Sequence, residues 1–206
     1  MSKERFKTLV IAILIVAIVS MSVVYALLSQ TLNINTSAKV VKSNSWNVFF
    51  DSTSISEPTL VGYAEVEEGK ELQISGTTTL QNLEVTLKAP GDSVTYTFEV
   101  KNTGAIDAKI STVELPNLAN ATYQSANNVT SDINLVKQYL RYSLTYASDE
   151  AETSYRGKAL ATDDTLSKNS SRKLKLTISY DSSATDIPSE AVTVSGLNAR
   201  VNYVQY

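Results

Sequence analysis

A chain of 206 residues, 43% of them hydrophobic, is long enough for one domain with a core plus an appendage and too short for two large domains. It contains neither cysteine nor histidine, which removes disulfide frameworks, thiol nucleophiles, Ser-His-Asp and Cys-His catalysis, HExxH zinc hydrolysis and nearly every zinc site. The formal charge is −3 with no basic patch concentrated anywhere, so the sequence argues against nucleic acid as a partner.

The front of the chain is an address. Lys3, Arg5 and Lys7 precede an uncharged run from Leu9 to Leu28. Twenty residues at ~1.5 Å rise make roughly 30 Å of helix, enough to cross a bilayer core, whereas a signal-peptide core spans only ~7 to 15 residues. Length therefore favours an anchor. Val24-Tyr25-Ala26 favours release instead, because it offers small or tolerated residues at the −3 and −1 positions for cleavage between Ala26 and Leu27. Both outcomes stay open. The run is apolar all round, and the next basic residue is Lys39, an asymmetry that puts the N-terminus in the cytoplasm and residues from Leu28 onward outside. Residues 1–28 are thus expected as a signal peptide or transmembrane signal-anchor, with the membrane as partner if uncleaved, and 29–206 as an extracellular domain. No Leu-Pro-x-Thr-Gly sorting signal follows.

Beyond the leader the pattern has a period of two. Predicted strands are Thr31–Val41; Ser45–Phe50, with Trp46, Val48 and Phe50 on one face; Thr59–Val66; and Leu80–Leu87. The alternation is cleanest in "LKAPGDSVTYTFEVKNTG", where Val94, Tyr96, Phe98 and Val100 oppose Thr95, Thr97, Glu99 and Lys101. Turn chemistry brackets that strand, Pro90-Gly91-Asp92 before it and Asn102-Thr103-Gly104 after it. Next come Ala108–Leu115, then a helix over Asp132–Leu140 with Ile133, Val136 and Leu140 on one face and Ser131 as its cap, bridging the sheets at one edge. Tyr142–Tyr146 follows as a strand, and Ala147–Ser171 as a mobile surface excursion or hairpin. The last strands are Leu174–Tyr180, Ala191–Ser195, and Ala199–Val204 with Ala199, Val201 and Tyr203 inward. The whole predicts an all-β fold, an antiparallel Ig-like or jelly-roll-like β-sandwich with one short helix, preceded by an N-terminal apolar helix.

Carboxylates are the remaining candidates for chemistry: Asp149 with Glu150, Asp163 with Asp164, and Glu65 with Glu67 and Glu68. Adjacent carboxylates on loops are usually solvated, whereas a glycosidase needs two of them facing across a cleft lined by stacking aromatics. The lone Trp46 belongs to an amphipathic strand and is expected in the core. Calcium could use the oxygens of Asp149–Glu152 or Asp163-Asp164, yet no Asp-x-Asp-x-Asp-Gly loop is present. No catalytic, metal or cofactor residues are assigned. Eleven tyrosines, including Tyr180, Tyr203 and Tyr206 near the end, fit half-buried strand positions better than an adhesive face. Glycosylation sequons start at Asn35, Asn120, Asn128 and Asn169.

"LKAPGDSVTYTFEVKNTGAIDAKI" resembles the Pro-Gly-Asp strand and Asn-x-Gly turn of exported bacterial Ig-like sandwiches. With "YALLSQTLNI" at Tyr25–Ile34 and the ending "VNYVQ", the chain resembles the TasA/camelysin group of Gram-positive surface and biofilm-fibre proteins. It departs from that group at "NSWNVFF", Asn44–Phe50, where members often carry a Gly-Thr-Leu-Asp-Leu-like strand. It also offers no histidine onto which the metalloprotease activity ascribed to camelysins could be carried. The resemblance implies strand donation, in which an N-terminal extended segment completes a neighbouring subunit's sheet. Leu27–Val40 would be the donor, with Thr31, Leu32, Ile34, Ala38 and Val40 in the donated strand, and an ordinary first strand in the chain's own sandwich is the alternative. The expected function is a non-catalytic exported surface or matrix protein, self-associating into fibres or meeting another surface protein. The second expectation is a binding or adhesion module that reads a glycan or protein through its loops.

Overall fold

The computed structural model describes residues 46–206, with Lys3 and Lys7 ahead of them. The apolar run, the Ala26–Leu27 junction, the Thr31–Val41 strand and the donor positions lie outside the described residues. Among the described residues no helix is long and apolar enough to cross a membrane.

In chain order the strands are β1 (Val48–Asp51), β2 (Thr59–Val61), β3 (Glu65–Val66), β4 (Gln73–Ser75), β5 (Thr79–Gln81), β6 (Val85–Leu87), β7 (Ser93–Asn102), β8 (Ala108–Glu114) and β9 (Thr122–Ser125). Helix α1 (Thr130–Tyr139) comes next, then β10 (Leu140–Tyr146), β11 (Thr165–Leu166), β12 (Ser170–Tyr180), β13 (Val192–Ser195) and β14 (Ala199–Gln205). Within residues 46–206 all the pairings described are antiparallel and one short α-helix interrupts them, so this part is all-β and consistent with a sandwich.

The first sheet runs β1-β7-β12-β10, with β2 continuing the β1 edge along the other half of β7. The long central pair, β7 and β12, buries every second residue: Val94, Tyr96, Phe98 and Val100 face the core with Leu174, Leu176, Ile178 and Tyr180. Two further sheets have the orders β11-β8-β14-β5-β4 and β9-β13-β6-β3. Their strands are consecutive in the chain and stack in the same order, so they are two halves of one layer broken across its width. One break falls at Asn82, held at φ 65, and another at Gly196, at φ 79. Leu80, Val85, Leu87, Ile110, Val192, Val194 and Val201 turn inward from this second layer and join the first sheet in one apolar cluster. Phe50 and Phe98 meet edge to face inside the cluster, ring centroids 5.1 Å apart.

Several expectations need correction. Thr59–Val66 is two strands, because Gly62 adopts φ 71 and the chain turns through Tyr63 before β3. Leu80–Leu87 likewise splits at Asn82, and β4, β9 and β11 went unpredicted. Helix α1 starts at Thr130, so Ser131 lies within its first turn and is no cap. The residue preceding the helix is Val129, whose N–H donates instead to the Ser125 hydroxyl. Leu140 ends the helix and opens β10, and α1 connects β9 to β10, the edges of the two layers. In β14 the register shifts between Asn202 and Tyr203, which leaves Tyr203 only half-buried beside an exposed Val204.

The turn at Gly62 is closely packed against Asp92. A Cβ added there would sit 2.1 Å from Asp92 Oδ1, on a backbone conformation that L side chains rarely adopt. Gly62→Ala is expected to destabilise the fold by about 1–3 kcal/mol, readable as a lowered urea midpoint with unchanged m. A substitution at Gly69, where nothing lies within 4 Å, carries backbone strain alone and should cost less.

Candidate functional site

The carboxylates that the sequence singles out do not converge. Asp149 is paired with Lys173 at 2.5 Å, Glu152 with Arg172, Asp163 with Lys109 at 2.9 Å, and Glu65 with Lys88. Asp164 accepts from the Ala161 amide and the Tyr146 hydroxyl. Among the described residues no group of three or more acidic side chains is placed to hold a metal ion. Glu150 differs from its neighbours, since it is 2% exposed and accepts from the amides of Glu152 and Lys173. The Arg156 Nε closes the same turn by donating to the Glu150 carbonyl.

Glu150 is one of the groups that hold Ala147–Ser171 down on the body of the fold. Gly157 N and Ala147 O meet across the loop, Tyr146 N bonds Lys158 O, and β11 pairs with β8. Tyr155 lies 4.7 Å from Tyr146 by ring centroids, and the Arg172 guanidinium lies over the Tyr155 ring at 5.0 Å from its centroid. Leu160 and Leu166 are buried beneath. Glu150→Ala leaves two amides without an acceptor, so the loop is expected to become a site of rapid trypsin cleavage at Arg156 or Lys158 while far-ultraviolet dichroism stays near the parent's.

An ion pair joins β1 to β7 on the outward face. Lys101 Nζ lies 2.6 Å from Asp51 Oδ2, and the amide and hydroxyl of Thr53 donate to Oδ1. These bonds, led by that from Lys101, hold the Asp51 carboxyl down at about 2. A depressed carboxylate adds stability above its ordinary pKa, and that contribution is lost as pH falls from near 4 towards 2. Asp51→Asn should therefore flatten the fall of the melting temperature in that window. Burial acts oppositely on the interior phenols: Tyr142, Tyr146 and Tyr203 are pushed up, in each case chiefly by desolvation.

The surface has a different character at β2. This strand pairs only with β7, and its outer edge has no partner among the described strands. Leu60, Val61 and Tyr63 stand 47%, 51% and 72% exposed on or just beyond it. Unpaired edges with exposed apolar side chains are what another strand adds to, and natural proteins usually blunt them. Nothing in the sequence pattern separated this edge from a buried one, because Leu60 and Val61 are adjacent and have no alternation to read. Of the tyrosines weighed earlier, Tyr180 is fully buried and Tyr206 is 73% exposed. Asn120, Asn128 and Asn169 are exposed.

Comparison of the chain with models of protein families, with curated proteins and with solved structures gave no match.

Proposed function

We propose that this chain is a non-catalytic exported protein of the cell surface or extracellular matrix, and that it assembles into fibres by strand donation. In this reading the body is an Ig-like or jelly-roll-like sandwich, and Thr31, Leu32, Ile34, Ala38 and Val40 of one copy form the donated strand. The leader, residues 1–28, carries the chain to or across the membrane, and cleavage between Ala26 and Leu27 frees the donor. The observation that carries the proposal is the unpaired β2 edge with Leu60, Val61 and Tyr63 exposed beside it. The donor segment has a matching parity, with Leu32, Ile34, Ala38 and Val40 on one face and Thr36 as the polar exception among them. The individually paired carboxylates and the absence of histidine and cysteine support a structural role over a catalytic one.

The test is assembly. Purified chain beginning at Leu27 should form concentration-dependent filaments under negative stain, and Leu60→Lys with Val61→Lys should abolish them, because lysine on an edge strand opposes pairing. Both positions are exposed, so the double variant should keep its melting temperature. A strictly monomeric parent at high concentration would refute the fibre reading.

A further inference from the structure

A cleft opens at the seam between the two layers, away from β2. About 110 Å³ in volume, it is lined by Trp46 just ahead of β1 and Val48 at its start, by Thr77 and Thr78 from the β4–β5 turn, and by Arg200, Asn202 and Tyr203 of β14. Local structure makes it. Phe50 N donates to Thr77 O and Val201 N to Thr78 O, so the turn is stitched to both layers. Strand β5 pairs with β14 only at Ala199 and Arg200, and the register shift then turns Asn202 and Tyr203 out of regular alternation.

The chemistry of the lining is one-sided. The Trp46 indole N–H, the Thr77 and Thr78 hydroxyls and the Arg200 guanidinium have no hydrogen-bond or ion-pair partner within the described residues. Arg200 stands apart in this. Among the described residues the other arginines are all engaged: Arg141 with Asp181 at 2.9 Å, Arg156 with the Glu150 carbonyl, and Arg172 with Glu152. Its cross-strand neighbour Glu114 takes the Asn202 amide at 2.8 Å and makes no ion pair with Arg200. With both Asn202 amide protons engaged by Thr112 and Glu114, its Oδ1 is left as an acceptor among donors.

We infer that this cleft binds a carboxylated sugar residue of the uronic-acid type. The guanidinium supplies a fork that takes a carboxylate through two parallel N–H···O bonds. The threonine hydroxyls and Asn202 Oδ1 suit ring hydroxyls, the indole offers an apolar plane, and the volume suits one ring rather than an extended chain. A small cleft with a single cation, hydroxyls and an indole fits an acidic sugar ring better than an acidic peptide, for whose backbone the lining offers no unpaired strand edge. This inference is independent of fibre assembly, which uses β2.

Trp46 is the only tryptophan in the chain, so its emission reports directly on the cleft. The full chain is titrated with trigalacturonic acid, with neutral maltotriose and with tri-glutamate. The expected result is a saturable change for trigalacturonic acid with a Kd on the order of 1 mM, weakened about tenfold in Arg200→Gln and by added salt. Arg200 is exposed, so that variant should melt with the parent. No saturation by about 10 mM, an unchanged Kd in Arg200→Gln, or equal affinity for maltotriose would each overturn the inference. Tighter binding of tri-glutamate would overturn the sugar assignment in favour of a peptide carboxylate.

Discussion

Asp92→Ala is expected to remove at least about 3 kcal/mol of stability and lower the melting temperature by about 10 °C. The residue is 1% exposed and its carboxylate holds three backbone amides: Tyr63 N on Oδ1 at 2.9 Å, and Lys88 N and Ala89 N on Oδ2, both at 2.8 Å. Truncation removes the acceptor of all three in part-buried turns, and an amide left unpaired costs about 1–3 kcal/mol where water does not replace the carboxylate. The three amides lie in different stretches, one in the turn after β2 and two in the turn before β7. Asp92 therefore fastens the exposed β2 edge to the central strand. Asp92→Asn should recover only part of the loss, because its single carbonyl oxygen can serve the Tyr63 arm or the Lys88 and Ala89 arm but not both. Chemical denaturation of the three proteins checks this ranking, and a near-parental Ala variant would show that the amides find other acceptors.

The second large effect lies at the opposite end of the same strand. Asn102 is completely buried, its Nδ2 donating to Ile106 O at 2.9 Å and Leu166 O at 3.1 Å while its Oδ1 accepts from Gly104 N at 3.0 Å. Asn102→Ala leaves two carbonyls and one amide unpaired, for about 3 kcal/mol. Asn102→Asp is expected to be worse at neutral pH, because a carboxylate oxygen then faces two carbonyl oxygens without a proton between them. Burial and those carbonyls raise the pKa of the introduced acid in the folded state, so its penalty should shrink as pH falls and grow as pH rises through that value. Thermal melts of both variants from pH 4 to 8 test the sign: the Asp variant should gain stability towards acid relative to the Ala variant.

These two residues also show where sequence reading reached and where it stopped. Pro90-Gly91-Asp92 and Asn102-Thr103-Gly104 were legible as turns, because turn residues act through their own backbone. What Asp92 and Asn102 hold was not, since Tyr63 and Leu166 lie 29 and 64 residues away. The β7 and β12 strands were readable because their inward positions alternate without a slip over their length. Leu80–Leu87 misled as one strand, although a signal was there: Leu80 and Leu83 are both buried, and a spacing of three between inward residues means that the strand's phase changed at Asn82. Strands as short as β3 and β11 carry too few residues to show any period. The Ala147–Ser171 loop looked mobile because its anchor is an acid, Glu150, whose partners are amides that composition does not reveal. The cleft at Trp46 was missed for a related reason, since half-burial of an indole has no counterpart in strand parity.

The strand order has a kinetic consequence. Each sheet is centred on pieces that are made late: β12 lies between β7 and β10, β13 between β6 and β9, and β14 between β5 and β8. A chain emerging from its N-terminus, from a ribosome or through a narrow channel, can form the β1–β7, β3–β6 and β4–β5 pairs early, but it lacks the strand that joins the two parts of each sheet until β12, β13 and β14 are out. Closure is then global and dominated by distant partners, which makes it slow and keeps the emerging polypeptide extended and threadable until synthesis or transfer is almost finished.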